Sequence, residues 1–306
     1  MPKKYLSTVL LAIAALAVFT AVYRVQNLQK TKRVSANETA DETPRPRLIS
    51  LQPSITETLC MLGLEKNLIG RSHYCDYPPS VTNLPAVGSY GNANIEAIAR
   101  MKPDFVLMSG LDSQSGIHEA LEKLRINHLG IQSTSLNDIT QSVWELGERF
   151  GASEMAEAWL AHINGLLESA RAAAPERAPK VLFCAGRDPG SLDRIYISGR
   201  GNFYEQIAIK CGGVNAYENE LSAPMVSVEG VMAMNPDIIV DVLAGAGIED
   251  MKKAYSDWSR LTSVNAVKTG NVCVLNESWA ARPGPRIDLL IEKVADCVKK
   301  WGESGD

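Results

Sequence analysis

Two stretches of this chain repeat one pattern at a fixed offset, and that repeat limits the folds open to it. Glu96-Ala97-Ile98-Ala99-Arg100-Met101-Lys102-Pro103-Asp104-Phe105-Val106-Leu107 reads as glutamate, apolar helix, Pro-Asp, apolar strand. Glu229-Gly230-Val231-Met232-Ala233-Met234-Asn235-Pro236-Asp237-Ile238-Ile239-Val240 reads the same way 133 residues later. The entry to each half follows at the same offset, Pro46-Arg47-Leu48-Ile49 returning as Pro179-Lys180-Val181-Leu182. A short amphipathic helix stops before a proline that cannot continue it, and a buried strand follows. Two α/β lobes of one design are therefore expected in tandem, with a ligand cleft between them.

Strand and helix patterns alternate through both halves, which predicts a parallel sheet with crossover helices in each lobe. Ser54 with Glu57 three residues on reads as a capping box, and Asn94 reads as the cap of the first repeated helix. From Leu136 to Ala174 there is no proline, and apolar residues recur at helical spacing. That stretch predicts one long helix, or two in succession broken at Gly151-Ala152-Ser153, bridging the lobes. The expected division is an N-terminal α/β lobe over 47–134, a bridging helix over 135–175 and a C-terminal α/β lobe over 176–306.

Ahead of the lobes, Lys3 and Lys4 precede an apolar run from Leu6 to Tyr23. At helical rise it spans about 27 Å, close to a bilayer's hydrocarbon core. Residues 1–23 are expected to anchor the chain in the cytoplasmic membrane, with a cleaved export signal as the alternative. Either reading places the folded part outside the cytoplasm. Residues 24–46 have linker composition.

A net charge of -4 with no long basic block excludes a nucleic-acid binder. Six cysteines without a Cys-x-x-Cys give neither a redox motif nor a zinc ribbon, and the four histidines lack metal-ligand spacing. Cys211 and Cys297 both fall in the second lobe and could pair outside the cytoplasm. There is no nucleophile elbow and no phosphate loop, so no catalytic residue, metal or cofactor is expected. Ligands bind α/β sheets beyond the carboxyl ends of the strands. That rule selects Gln52-Pro53-Ser54, His73-Tyr74, Ser89-Tyr90-Gly91-Asn92 and Gly110-Leu111-Asp112 in the first lobe. In the second it selects Gly186-Arg187-Asp188, Arg200, Asn202, Phe203 and Trp279 to Arg282. The ligand-contacting candidates are Tyr74, Tyr90, Gly91, Asp112, Arg200, Phe203, Trp279 and Arg282.

Arg47 to Glu57, reading Arg-Leu-Ile-Ser-Leu-Gln-Pro-Ser-Ile-Thr-Glu, resembles the opening of the periplasmic substrate-binding proteins of cobalamin, haem and ferric-siderophore importers. Tyr74-Cys75-Asp76-Tyr77-Pro78-Pro79 is similar to the Asp-Tyr-Pro-Pro loop of the cobalamin-binding branch. Asn94-Ile95-Glu96 and Val226-Ser227-Val228-Glu229 resemble the two family helices that each present a glutamate. The resemblance covers residues 46 to 302 and implies two lobes braced by a long helix, with little closure on binding. It implies a corrinoid as the transported ligand, with Tyr74 and Tyr90 at ligand-facing aromatic positions. It also implies an ABC transporter permease dimer as partner, met by Glu96 and Glu229. One departure is Ala223, which stands where that branch carries an aromatic residue before Pro-x-Val-Ser. A haem, ferric-siderophore or oxyanion ligand is the nearest alternative. An exported enzyme and a membrane-anchored sensor are the readings from other classes.

Overall fold

The computed structural model describes residues 45–89, 91–110 and 116–303. The anchor over 6–23, the linker before Arg45, and the candidates Tyr90 and Asp112 lie outside the described residues. No helix among the described residues is long and apolar enough to cross a membrane.

The repeat is structural down to single hydrogen bonds. In the first half, β1 (Leu48–Ser50) pairs in parallel with β5 (Phe105–Ser109). In the second, β7 (Lys180–Gly186) pairs in parallel with β11 (Ile238–Val242). The helices before β5 and β11 are α2 (Ile95–Met101) and α7 (Val228–Met234), capped by the side chains of Asn94 and Ser227. Both end on a left-handed residue, Lys102 at φ 47° and Asn235 at φ 44°, followed by proline. The Asp of each Pro-Asp then accepts from the chain entering its lobe. Arg47 N donates to Asp104 Oδ2 at 2.7 Å, and Lys180 N donates to Asp237 Oδ2 at 3.1 Å. Short polar side chains thus satisfy backbone donors at the sheet edge that would otherwise be left unpaired.

The first sheet is parallel throughout, in the order β2–β1–β5–β6, with β2 at Leu68–Arg71 and β6 at His128–Ile131. A small hairpin, β3 (Gly88–Ser89) with β4 (Asn92–Ala93), stands apart from it. The second sheet is mixed. β7, β11 and β12 (Val272–Leu275) are parallel, and the short β9 (Val214–Asn215) adds to β7. On the side of β7 away from β11, β8 (Ile195–Ile197) runs antiparallel to β7, and β10 (Met225–Val226) antiparallel to β8.

The bridge is two helices, not one. α4 (Leu136–Phe150) stops at Gly151, which takes φ 74°, and α5 (Ser153–Ala172) starts after it. A left-handed glycine ends the α-helical ladder, so the run without proline is still broken. α5 alone spans the two lobes, about 30 Å over its twenty residues. Near its start the Met155 sulfur lies 3.2 Å from where a Gly63 Cβ would stand. Near its end, Arg171 sits beside Gly212 of the second lobe. Between them Trp159 donates its indole N–H to Pro285 O at 3.0 Å. One continuous core runs through the region, taking Leu48, Ile55, Trp159, Ile163, Phe183 and Leu290 together, and Pro46–Asp306 is one compact unit. Opening the cleft widely would expose that shared core and break the α5 ladder. The radius of gyration of this body in small-angle scattering is therefore expected to stay the same when ligand is added. A clear compaction would contradict the rigid bridge.

Three local expectations are corrected. Ser54 is no cap: α1 (Pro53–Met61) begins on Pro53 with Gln52 as N-cap residue, and Glu57 is buried elsewhere. Arg187 does not face the cleft. Its guanidinium is enclosed in the second lobe, donating to Asp241 Oδ2 at 2.9 and 2.7 Å and to Asp257 Oδ2 at 2.9 Å. Cys211 and Cys297 do not pair. Cys211 is buried, its thiol pushed up to about 12, and it donates to Ile291 O at 3.8 Å. Cys297 lies six residues further along α10 (Ile287–Glu303), about 9 Å on, beyond disulfide reach of a thiol seated at Ile291.

Candidate ligand-binding cleft

A cavity of about 390 Å³ opens between the lobes at the carboxyl ends of their strands, the size of an ordinary small-molecule site. The first lobe contributes Gln52 after β1, Ser109 at the end of β5, and Gln132, Ser133 and Thr134 after β6. The second contributes Ser198 after β8, then Asn202 and Phe203 at the start of α6 (Phe203–Lys210), with Ser222 and Ala223 from the loop before β10. Strand geometry explains the first-lobe set, since each parallel strand ends at the same edge of its sheet, whereas Ser198 follows the antiparallel β8 and Ser222 and Ala223 precede β10. A Cβ at Gly110 would meet the Gln132 side-chain amide, which would have to turn aside. Ala223, the departure noted in the sequence, lies in the cavity wall and leaves open the space an aromatic ring would fill.

Two backbone N–H groups at the cleft tie neighbouring elements together, one to a backbone carbonyl and one to a side-chain amide. Phe203 N donates to Thr134 O at 3.0 Å, and Leu136 N donates to Gln206 Oε1 at 2.8 Å. In the wall, Ser198 Oγ donates to Asn202 Oδ1 at 2.6 Å and Asn202 Nδ2 donates to Ser222 O at 3.0 Å. Tyr204 spends its hydroxyl on Ala280 O at 2.7 Å. Gln52 Oε1 is buried in the cleft with no protein donor. Among the described residues lining the cavity there is no charged side chain. The wall therefore offers neutral amides and hydroxyls around a few apolar groups.

Beside the cleft an ion network locks the lobes together. Glu57 of α1 is buried, and it accepts from Arg282 at 2.9 Å and from Arg286 at 2.8 and 2.6 Å. Arg282 also donates to both oxygens of Asp76, at 2.6 and 3.1 Å. The Arg286 guanidinium stacks 4.0 Å over the Tyr77 ring. Hydrogen bonds from Arg282 hold the Asp76 carboxyl below its ordinary value of 3.8. A carboxylate with a lowered folded-state pKa adds stability above its unfolded value and loses it as pH falls through the folded value. Asp76→Asn is thus expected to melt below wild type at neutral pH, with the difference closing below about pH 3.8. Melting temperatures against pH check this, and a constant gap down to pH 2 would contradict it.

The candidates fall at different depths. Phe203 lines the cavity. Tyr74 is 59% exposed, and Gly91 is an exposed hairpin residue at φ 72°. Arg200 is half-exposed, with Glu205 Oε1 at 3.6 Å. Trp279 packs against the main core, and Arg282 is taken up by Glu57 and Asp76. None of these five lines the cavity. Sequence reasoning passed over Gln132, Ser133 and Thr134, although they follow a strand directly. It favoured aromatic residues, and the wall is built chiefly of small polar ones. Glu96 and Glu229 stand at the exposed starts of α2 and α7. The Glu96 side chain is 82% exposed and paired with Arg100 at 2.7 Å. Glu229 is fully exposed, and a hydrogen bond from Ser227 holds its carboxyl below the usual range.

A family model described as periplasmic binding protein matches residues 48–278. A vitamin B12-binding protein of Photorhabdus laumondii is 30% identical over 257 residues, covering 84% of this chain and 89% of that protein. The crystal structure of the periplasmic vitamin B12 binding protein of Vibrio cholerae superposes with a TM-score of 0.69 at 25% identity, over 84% of this chain and 99% of that one. A periplasmic haem-binding protein of Roseiflexus sp. RS-1 superposes with a TM-score of 0.68 at 21% identity, over 86% and 100% of the two chains.

Proposed function

The chain belongs to the periplasmic binding protein family, and from that premise we propose that it captures a corrinoid in the interlobe cleft and delivers it to an ABC transporter permease. Proteins of this family bind small molecules outside the cytoplasm and hand them to such permeases, and the relatives matched here are named as binding proteins. The observation that supports the corrinoid reading is the lack of charge among the described residues of the wall. A corrinoid is a macrocycle fringed with neutral carboxamides. These amides both donate and accept, as do Gln52, Gln132 and Asn202, while Ser133, Thr134 and Ser222 add hydroxyls. The Gln52 acceptor, buried without a partner, suits an amide N–H of the ligand. Haem instead brings two carboxylates and an iron that seeks a protein donor, and a ferric siderophore or an oxyanion calls for cations.

The likeness in fold to haem-binding proteins supports a second reading, haem. Arg200, next to the cavity residue Asn202 and half-exposed, is the group that would meet a propionate.

Calorimetry with cobinamide, cyanocobalamin and haem separates the two. One corrinoid per chain is expected at submicromolar affinity. Phe203→Ala should weaken it by about 1–3 kcal/mol, because an aromatic ring buried against a ligand loses that much on truncation. Gln132→Ala should weaken corrinoid binding by about 1–2 kcal/mol. Haem bound tightly, with no heat from either corrinoid, would overturn the proposal. Loss of that haem binding in Arg200→Ala would then establish the second reading.

A further inference from the structure

Two of the four histidines meet ring to ring in the first lobe. His118 stands on α3 (Gly116–Lys123), and His128 is the first residue of β6. His118 Nδ1 and His128 Nε2 are 2.7 Å apart, with the ring planes at 83°. Separate supports hold the two backbones. Ile117 and Leu121 anchor α3 in a core cluster with Ile49, Ile98 and Val106, and β6 pairs with β5 so that His128 stands opposite Val106. Ten residues separate the pair along the chain, so no local ligand spacing reveals it.

The hydrogen bonds fix where the protons lie. Ile126 O can only accept, so His128 Nδ1 carries the proton that it donates across 3.1 Å. In the neutral ring Nε2 is then a bare lone pair facing His118, and His118 Nδ1–H donates to it. The other nitrogen of His118, Nε2, faces Glu122 Oε1 at 3.5 Å. Each outer nitrogen thus has an acceptor beyond it, a backbone carbonyl for one ring and a carboxylate for the other. Metal-ligating imidazoles are oriented by acceptors of these two kinds. Moving the one proton between the rings to His118 Nε2, toward Glu122, leaves two lone pairs converging on one point.

We propose that His118 and His128 chelate a divalent transition-metal ion of the zinc, nickel or copper class, the ions that imidazole suits. Metal–nitrogen bonds of about 2.0–2.1 Å at a tetrahedral angle need nitrogens about 3.3 Å apart, so the rings part by about 0.6 Å. Both residues are half-buried, which leaves the site open to solvent. Among the described residues no group of three or more histidine, cysteine, aspartate or glutamate side chains is placed to hold a metal. Water completes the shell, and the ion exchanges with solution. Neutral His118 changes tautomer on binding, and no proton is released. The cleft residues Gln132, Ser133 and Thr134 follow the last residue of β6, so the metal lies at the opposite edge of the sheet from the ligand.

Imidazole nitrogen NMR of the full chain, titrated with zinc, tests this. Zinc at micromolar concentration should shift the His118 Nδ1 and His128 Nε2 resonances and convert His118 to its Nε2–H form. His73, whose Nδ1 donates to Gly88 O at 2.7 Å, and His162, 3.5 Å from Asp288 Oδ2, should stay unmoved. In calorimetry, His118→Gln and His128→Gln should each weaken zinc binding at least tenfold, and Glu122→Gln by about tenfold. Zinc at a hundred times its Kd should raise the melting temperature by about 5 °C or more, and not at all in the double His→Gln variant. None of these readouts depends on what the cleft binds. Unmoved His118 and His128 resonances at millimolar zinc would overturn the proposal, as would zinc affinity that survives in the double variant.

Discussion

Uptake of ligand should be lost when Glu96 and Glu229 are both replaced by arginine, while ligand affinity and melting temperature hold near wild type. The two carboxylates stand at equivalent positions of the structural repeat, each at the start of a seven-residue helix before a Pro-Asp. Both are exposed, so neither holds the fold. The Glu96–Arg100 pair is a surface i,i+4 contact of a kind that contributes less than about 1 kcal/mol. Charges that serve recognition behave differently. Meeting basic groups on the permease, a carboxylate steers and registers the complex, and an arginine in its place sets like charge against like at several kcal/mol. Reversing both should reduce transport by about a hundredfold or more, with calorimetric affinity for the ligand unchanged. Wild-type uptake by the double variant would make both residues helix-end charges only.

The largest effect on stability is expected at Glu57. Its carboxylate is 2% exposed and is shared by two arginines whose side chains are 18% and 17% exposed. Glu57→Gln keeps the volume and removes the charge, leaving Arg282 with Asp76 alone and Arg286 with the Tyr77 face. Breaking one side of such a buried pair costs about 3 kcal/mol, or about 6–12 °C in melting temperature for a body this size. Both arginines belong to the second lobe and Glu57 to the first, so the variant should also loosen the cleft and weaken ligand binding. A melting temperature within about 2 °C of wild type would show the network to be marginal, in line with surface ion pairs.

The tandem lobes were legible because the repeat is written in local terms: a cap, a short apolar helix, a left-handed stop, a proline and an aspartate. Each acts within a few residues or on the chain entering its own lobe, so the strings around Asp104 and Asp237 could be matched directly. Glu57 was misread for the converse reason. Ser54 and Glu57 have capping-box spacing, but Pro53 starts the helix and the carboxylate turns inward to residues more than two hundred positions away. No local pattern carries that distance. Arg187 follows a strand end like a ligand contact, yet the matching carboxylates of Asp241 and Asp257 draw it into the lobe's interior. The strand-end rule pointed to the first-lobe edge at which the cavity opens. Its lining was only half found, since small polar residues after β6 carry no signal to set them apart from ordinary loop residues.

Native mass spectrometry of the purified folded body, offered cyanocobalamin, haem and a ferric siderophore together, separates the three ligands in one experiment. A single added mass is expected, that of one corrinoid per chain, retained at low collision energy and lost selectively in Phe203→Ala. Retention of haem or siderophore in its place, with no corrinoid adduct at any ratio, would contradict it.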